Sequence, residues 1–306
     1  MEAWLEMLEF MPANVRAILK RVPKEYAVAV EEVRLRAGKS LAIVTVKPLH
    51  ISAEGQIVPP QIAYNLNVAD ITECLRLLSN SSLYAWDEEL KRGYVTVKGG
   101  HRIGLAGRVL TEKGSIRTMK DISSLNFRIA KEITGCANKL AQAVLQARPL
   151  NTLLISPPRA GKTTILRDLI RLTSLCGFTV AVVDERSELA ASWQGIPQKD
   201  LGPNTDIMDA CPKAEGLMMM IRSLSPDVVA VDEIGSEEDA MAIYEASKAG
   251  VNIYATAHAS NLQEVLQRPI LKDLILDGVF KKIVQLFPER RGEYIITDYH
   301  RGLKIC

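Results

Sequence analysis

Four short apolar runs in the second half of the chain end in residues that contradict their apolar character. Residues 152–155 lead into Ser156-Pro157-Pro158-Arg159-Ala160-Gly161-Lys162-Thr163-Thr164. Residues 178–183 end in Asp184-Glu185, 228–231 in Asp232-Glu233, and 251–255 in Thr256 and His258. The first of these ends reads as a phosphate cradle. A loop running directly into a helix presents unpaired backbone N–H groups and a positive dipole end to an anion. Its spacing fits G-x-x-x-x-G-K-[ST] with Ser156 in the place of the first glycine. Gly161 would let the backbone approach closely, Lys162 would reach the β- and γ-phosphates of ATP, and the Thr163 hydroxyl would go to Mg²⁺. Pro157, Pro158, Ala160 and Thr164 complete the loop, and Arg159 either adds a phosphate contact or is solvated.

The run 228–233 matches the second half of such a site. Asp232, closing a buried strand, would hold Mg²⁺ directly or through water, and Glu233 would orient or activate the attacking water. Asp184, Glu185 and Glu188 form a third polar cluster, readable either as a solvated acidic turn or as part of the site. His258 poses the same choice between a structural role and a hydrogen bond to the γ-phosphate. Met218, Met219 and Met220 read most simply as core packing on a helix.

Apolar strands alternating with helical segments, as from residue 150 onward, indicate a parallel sheet covered on both sides, and in such a sheet ligands bind at the carboxyl ends of the strands. The helix expected over 237–249 has Ser236 and Asp239 as a capping box and Gly250 beyond its end. Residues 201–212, rich in Gly, Pro, Asn and Asp, read as a mobile loop, and 282–286 and 294–297 as antiparallel strands. Earlier in the chain the pattern differs. Residues 1–20 read as one helix with Trp4, Leu8, Met11 and Val15 on a stripe, Glu32 to Arg36 alternate as in a half-buried strand, and Gly99-Gly100 suits a hairpin turn. The expected organisation is an α+β domain over 1–130, a linker helix region over 131–149, and an α/β P-loop domain with a parallel central sheet over 150–306.

With 306 residues, 47% of them hydrophobic and 24% charged, the chain has the composition of an ordinary globular protein of two domains. A formal charge of +2 and 5% aromatic residues give no strong nucleic-acid signal. Cys74, Cys136, Cys176, Cys211 and Cys306 are odd in number and never spaced C-x-x-C, which argues against a disulfide framework or a zinc site. The N-terminus lacks the basic start of a secretory signal and no run reaches the ~18–20 apolar residues of a membrane span, so the expected location is cytoplasmic.

The phosphate loop, Asp184-Glu185-Arg186-Ser187-Glu188-Leu189, Val231-Asp232-Glu233-Ile234-Gly235 and Thr256-Ala257-His258-Ala259 resemble, in order and spacing, the Walker A, Asp box, Walker B and His box of the secretion ATPases of type II, type IV and pilus systems. The acidic pair reads Asp-Glu where those enzymes usually have Glu-Asp. Within that superfamily, Glu31-Glu32-Val33-Arg34-Leu35-Arg36 and the segment from Ile122 to Ala130 are similar to a sporulation branch. The resemblance implies a RecA-like ATP-binding domain, a homohexameric ring, and arginines of the N-terminal region reaching the γ-phosphate, with Arg102, Arg108, Arg117 and Arg128 as candidates and Arg117 and Arg128 preferred. It also implies an integral membrane platform protein as partner, with the ATPase peripheral to a channel on its mother-cell side. The rival readings are a RecA-like ATPase acting on nucleic acid and a small-molecule P-loop kinase, and fold alone does not separate them.

Overall fold

The computed structural model describes residues 1–79, 86–112, 114–158, 160–290 and 292–299; it forms two compact units, Met1–Lys131 and Glu132–Cys306. In the first unit, helices α1 (Glu2–Leu8), α2 (Ala13–Leu19) and α3 (Lys24–Ala29) precede strands β1 (Glu32–Arg36), β2 (Ala42–Val44), β3 (Pro48–Ile51) and β4 (Ile57–Val58). Helices α4 (Val68–Leu78) and α5 (Asp87–Arg92) then lead to β5 (Tyr94–Thr96), β6 (Arg102–Glu112) and β7 (Ser115–Arg128). The strands form one antiparallel sheet in the order β4-β3-β2-β1-β7-β6-β5. Burial alternates along β1, with Val33 and Leu35 facing the helices, as a sheet with one dry face requires.

The single helix expected over 1–20 is instead two. Pro12 stands at the N-cap of α2 with ψ 149°, because its ring cannot follow a preceding helical turn. The stripe survives the break, since Trp4, Leu8, Met11 and Val15 are all buried. Gly99 and Gly100, at φ 84° and 74°, turn the chain from β5 into its antiparallel partner β6.

The second unit opens with α6 (Asn138–Val144), then β8 (Thr152–Ser156), α7 (Lys162–Leu175), β9 (Val180–Asp184), β10 (Thr205–Asp209), α8 (Lys213–Leu224), β11 (Val228–Glu233), α9 (Glu237–Lys248) and β12 (Asn252–His258). It closes with α10 (Leu262–Gln267), α11 (Pro269–Leu276), β13 (Lys282–Leu286) and β14 (Tyr294–Asp298). The sheet order is β10-β9-β11-β12-β8-β13-β14, parallel except for the β13–β14 pair. Both faces are dry. Leu153, Ile155, Val183 and Val231 pack with side chains of α8, α9 and α11, and Leu154, Val182, Ala230 and Tyr254 pack with those of α6 and α7. The span 201–212, expected as a loop, contains β10, which pairs with β9 along its whole length. Its Asp206 and Asp209 disguise an edge strand.

Among the described residues no helix is long and apolar enough to cross a membrane.

Candidate functional site

Because β8, β9, β11 and β12 run parallel, their carboxyl ends share one edge of the sheet. The register pairs His258 with Ser156, Glu233 with Thr256, and Val231 with Val183. Ser156 is still inside β8 and fully buried, and it is not among the residues at positive φ, so its backbone makes no demand for glycine. Gly161 does, at φ 96°, where a Cβ would meet no neighbour within 4 Å; the torsion and not the space selects the residue. Gly161 is the N-cap of α7 and supplies no side-chain cap, leaving the first-turn N–H groups facing outward from the loop. Around it Ala160 is buried, Pro157, Thr163 and Thr164 are half-buried and Pro158 is exposed. Arg159 lies outside the described residues.

Lys162 turns its ammonium back into the loop. Nζ donates to the Ser156 carbonyl at 3.0 Å, to Ser156 Oγ at 3.1 Å and to His258 Nδ1 at 2.8 Å. Burial lowers its pKa, against the pull of Glu233 and Asp232. An ammonium has no lone pair to offer, so Nδ1 of His258 is the acceptor and the ring proton sits on Nε2. That nitrogen lies 3.4 Å from Glu233 Oε2. His258 therefore joins the phosphate loop to the end of β11 in one continuous polar chain. A register shift between Ala230 and Glu233 interrupts the pairing of β11 with β12 beside the two acids, where bulges commonly occur.

Asp232 is buried, and its carboxyl is pushed up to about 6 by burial first, then by Glu188, Asp184 and Glu233, with Lys213 pulling the other way. The acidic segment after β9 divides its labour. Asp184 accepts N–H bonds from Glu188, Leu189 and Ala190 at 2.8–2.9 Å, so it shapes the turn and is not free to ligate; burial nonetheless raises its pKa. Ser187, at φ 52°, bonds Asp209 of β10 at 2.7 Å. Glu188 carries the charge that faces Asp232, and Glu185 pairs with Lys213.

Two residues of this cluster escaped the sequence reading. Arg167 on α7 donates to the carbonyls of Leu189 at 2.6 Å and Glu188 at 2.7 Å, pinning the acidic turn to the helix that follows the phosphate loop. Its signal was its spacing, one turn beyond Thr163 on the same helix face. Lys213 is buried at the first position of α8, where a cation opposes the helix dipole. Of the three methionines expected as core, only Met220 is buried; Met219 is 55% exposed.

The arginines singled out earlier belong to the first unit. Arg117 pairs with Glu112 at 3.5 Å and Arg128 with Glu32 at 3.9 Å, both guanidinium groups well exposed, while Arg102 stacks over Tyr94 at 4.3 Å.

Among the described residues no group of three or more His, Cys, Asp or Glu side chains gathers to hold a metal alone. The donor set nevertheless fits Mg²⁺, which takes hard oxygen ligands and needs only one or two carboxylates when phosphates and water supply the rest. Asp232 is a buried carboxylate crowded by others of its sign, and a divalent cation would offset that crowding.

Comparison with known proteins bears on the family and the fold. The family model for sporulation stage III, protein AA matches residues 1–304. Stage III sporulation protein AA of Bacillus subtilis (strain 168) is 44% identical over 286 residues, spanning 92% of this chain and 90% of that protein. Among solved structures, the ATPase DotB of Legionella pneumophila aligns at TM-score 0.58 and 14% identity, covering 90% of this chain and 76% of that one. The pilus retraction motor PilT with bound ADP aligns at TM-score 0.54 and 14% identity, covering 85% and 75%. At these identities the two structures speak for the fold.

Proposed function

The chain belongs to the sporulation stage III protein AA family, and from that premise we propose that it is a Mg²⁺-dependent ATPase with a RecA-like domain, serving as the motor of a secretion-type channel in sporulation. The observation that carries this reading is the run of contacts from Lys162 through His258 to Glu233, which sets a phosphate-loop lysine and a strand-end carboxylate on either side of one imidazole. An anion arriving at the start of α7 would meet the first-turn amides and the Lys162 ammonium together. Thr163 and Asp232 would hold Mg²⁺, which when bound neutralises charge on the phosphate oxygens.

Glu233 would take the proton of an attacking water, and His258, whose Nε2 lies 3.4 Å from Glu233 Oε2, would orient that carboxylate. Glu188 and Glu185 complete the acidic wall, Arg167 fixes the turn that carries them, and the loop residues from Ser156 to Thr164 surround the phosphates. Arg117 and Arg128, exposed and weakly paired, are our choice for the arginines that stabilise transferring charge in a ring of six copies. The domain limits 1–130, 131–149 and 150–306, docking on an integral membrane platform protein, and a cytoplasmic place on the mother-cell side belong to the same reading. The PilT structure, which holds ADP, supports nucleotide as the ligand class.

Phosphate release by the purified protein tests it. Glu233→Gln should keep nucleotide binding while turnover falls about 10²- to 10⁴-fold, the usual worth of a general base. Lys162→Ala should fail in nucleotide binding or in turnover. Near-normal hydrolysis in both variants would overturn the assignment.

A further inference from the structure

Lys213 is a cation placed against local preference. It occupies the first turn of α8, where the helix dipole disfavours positive charge, and it is buried, where an ammonium is costly unless paired. Two carboxylates compensate. Glu185 Oε2, from the segment after β9, makes a close ion pair with Nζ, and Asp239 Oδ2, from the first turn of α9, lies 3.9 Å away. Asp239 is itself an organiser: the same oxygen accepts the N–H of Gly235 at 3.0 Å and of Ser236 at 3.1 Å, fixing the chain immediately beyond Glu233. One turn further along α8, Gly216 brings the helix against β9 so closely that a Cβ would lie 2.7 Å from Val183 Cγ1. That close approach is what delivers Lys213 to Glu185.

We propose that Lys213 is a positioning residue for the carboxylates around a nucleotide-bound Mg²⁺: by tying Glu185 to Asp239 it clamps the acidic segment after β9 to the segment after β11, and so sets the spacing of Glu188 and Asp232. This rests on the ATPase reading above. The ammonium acts through the two acids it joins. It also sets a positive charge beside Glu185 and Asp239, and the same charge pulls against the carboxylates that crowd Asp232. A clamp of this kind predicts a loss confined to the metal-dependent part of nucleotide binding and to turnover, with little change for nucleotide alone.

Calorimetric binding of ADP with and without Mg²⁺, together with steady-state phosphate release, separates the possibilities in the full-length protein. Lys213→Met should leave metal-free ADP affinity close to wild type and weaken the gain conferred by Mg²⁺ by about 10- to 100-fold, the range seen when partners of metal ligands are removed. kcat should fall by a similar factor while KM for ATP changes little. Lys213→Arg, which keeps both ion pairs, should recover most of the loss. Glu185→Gln should reproduce it, and the Lys213→Met/Glu185→Gln double variant should be no worse than the worse single variant, because coupled residues do not add. If Lys213→Met does not fold, the Arg and Gln variants decide alone. An unchanged Mg²⁺ gain in Glu185→Gln, or strictly additive losses in the double variant, would overturn the proposal. A wild-type protein that binds no nucleotide, or a Glu233→Gln variant that hydrolyses normally, would remove the ATPase reading, and the clamp with it; loss of the clamp alone leaves wild-type binding intact.

Discussion

Among the described residues the two sheets contain seven strands each, yet they handle polar side chains in opposite ways. In the antiparallel sheet of the first unit, polar residues alternate with apolar ones along the strands, as in Glu32-Val33-Arg34-Leu35-Arg36 with burial switching at each step. Its charges are spread across a wetted face and satisfied by neighbours, Arg34 by Glu32 at 2.8 Å for example. In the sheet of the second unit, β8 and β9 are buried at every position. In β9 and β11 the acids stand only where the strand stops, and parallel direction sends both stops to one edge. Chemistry is concentrated by exclusion: a sheet with two dry faces has nowhere else to put a carboxylate.

The strongest way to break that contrast is at the edge itself. Glu233→Gln should cut phosphate release by about 10²- to 10⁴-fold, whereas Arg34→Gln on the wet face of β1 should leave it unchanged. Inside the sheets the contrast becomes one of stability. Leu154→Ala, at a fully buried position of β8, should cost about 2–5 kcal/mol in chemical denaturation. Arg34→Ala, losing a half-buried pair, should cost less, about 1–2 kcal/mol. A finer test uses Arg167, whose guanidinium bonds two carbonyls of the acidic turn. Arg167→Met should lower turnover by about tenfold with metal-free ADP affinity preserved, in line with losses from outer-shell partners of a metal site.

The smallest effect compares two helix caps of the same design, Asn67 with Asp70 on α4 and Ser236 with Asp239 on α9. Asn67→Ala and Ser236→Ala should each cost about 1 kcal/mol. Only the second should also slow phosphate release, because its cap abuts the end of β11. Equal kinetics in the two would blur the distinction drawn between the sheets.

What could be read from the sequence follows from the same contrast. Continuous apolar runs ending abruptly in acids announce both the buried strand and the edge, so the ends of β8, β9, β11 and β12 were legible, as were the Ser236 cap and the Gly99-Gly100 turn. Local signals of this kind need no partner to be interpreted. β10 was not legible because an edge strand is defined by what it pairs with, and Asp206 and Asp209 spoke for a loop. The break at Pro12 was masked by a stripe that continues across it. Lys213 and Arg167 were missed for a deeper reason: each acts on a segment distant in sequence, and although Arg167 stands one turn beyond Thr163, neither that spacing nor anything local to Lys213 names the partner. The division of Asp184 from Glu188, one shaping the turn and the other facing Asp232, also required the backbone to be seen.

Two glycines near the site obey different rules, and the difference sets how each can be replaced. Gly216 is a matter of bulk: any side chain there pushes α8 off the sheet. At Gly161 there is room for a methyl group, and the objection is one of handedness alone. Alanine would leave the cradle open but swing its amides out of line, whereas asparagine, which tolerates the left-handed region better than most residues, would be the gentlest substitute. The cradle is thus vulnerable to a twist of its chain before it is vulnerable to crowding.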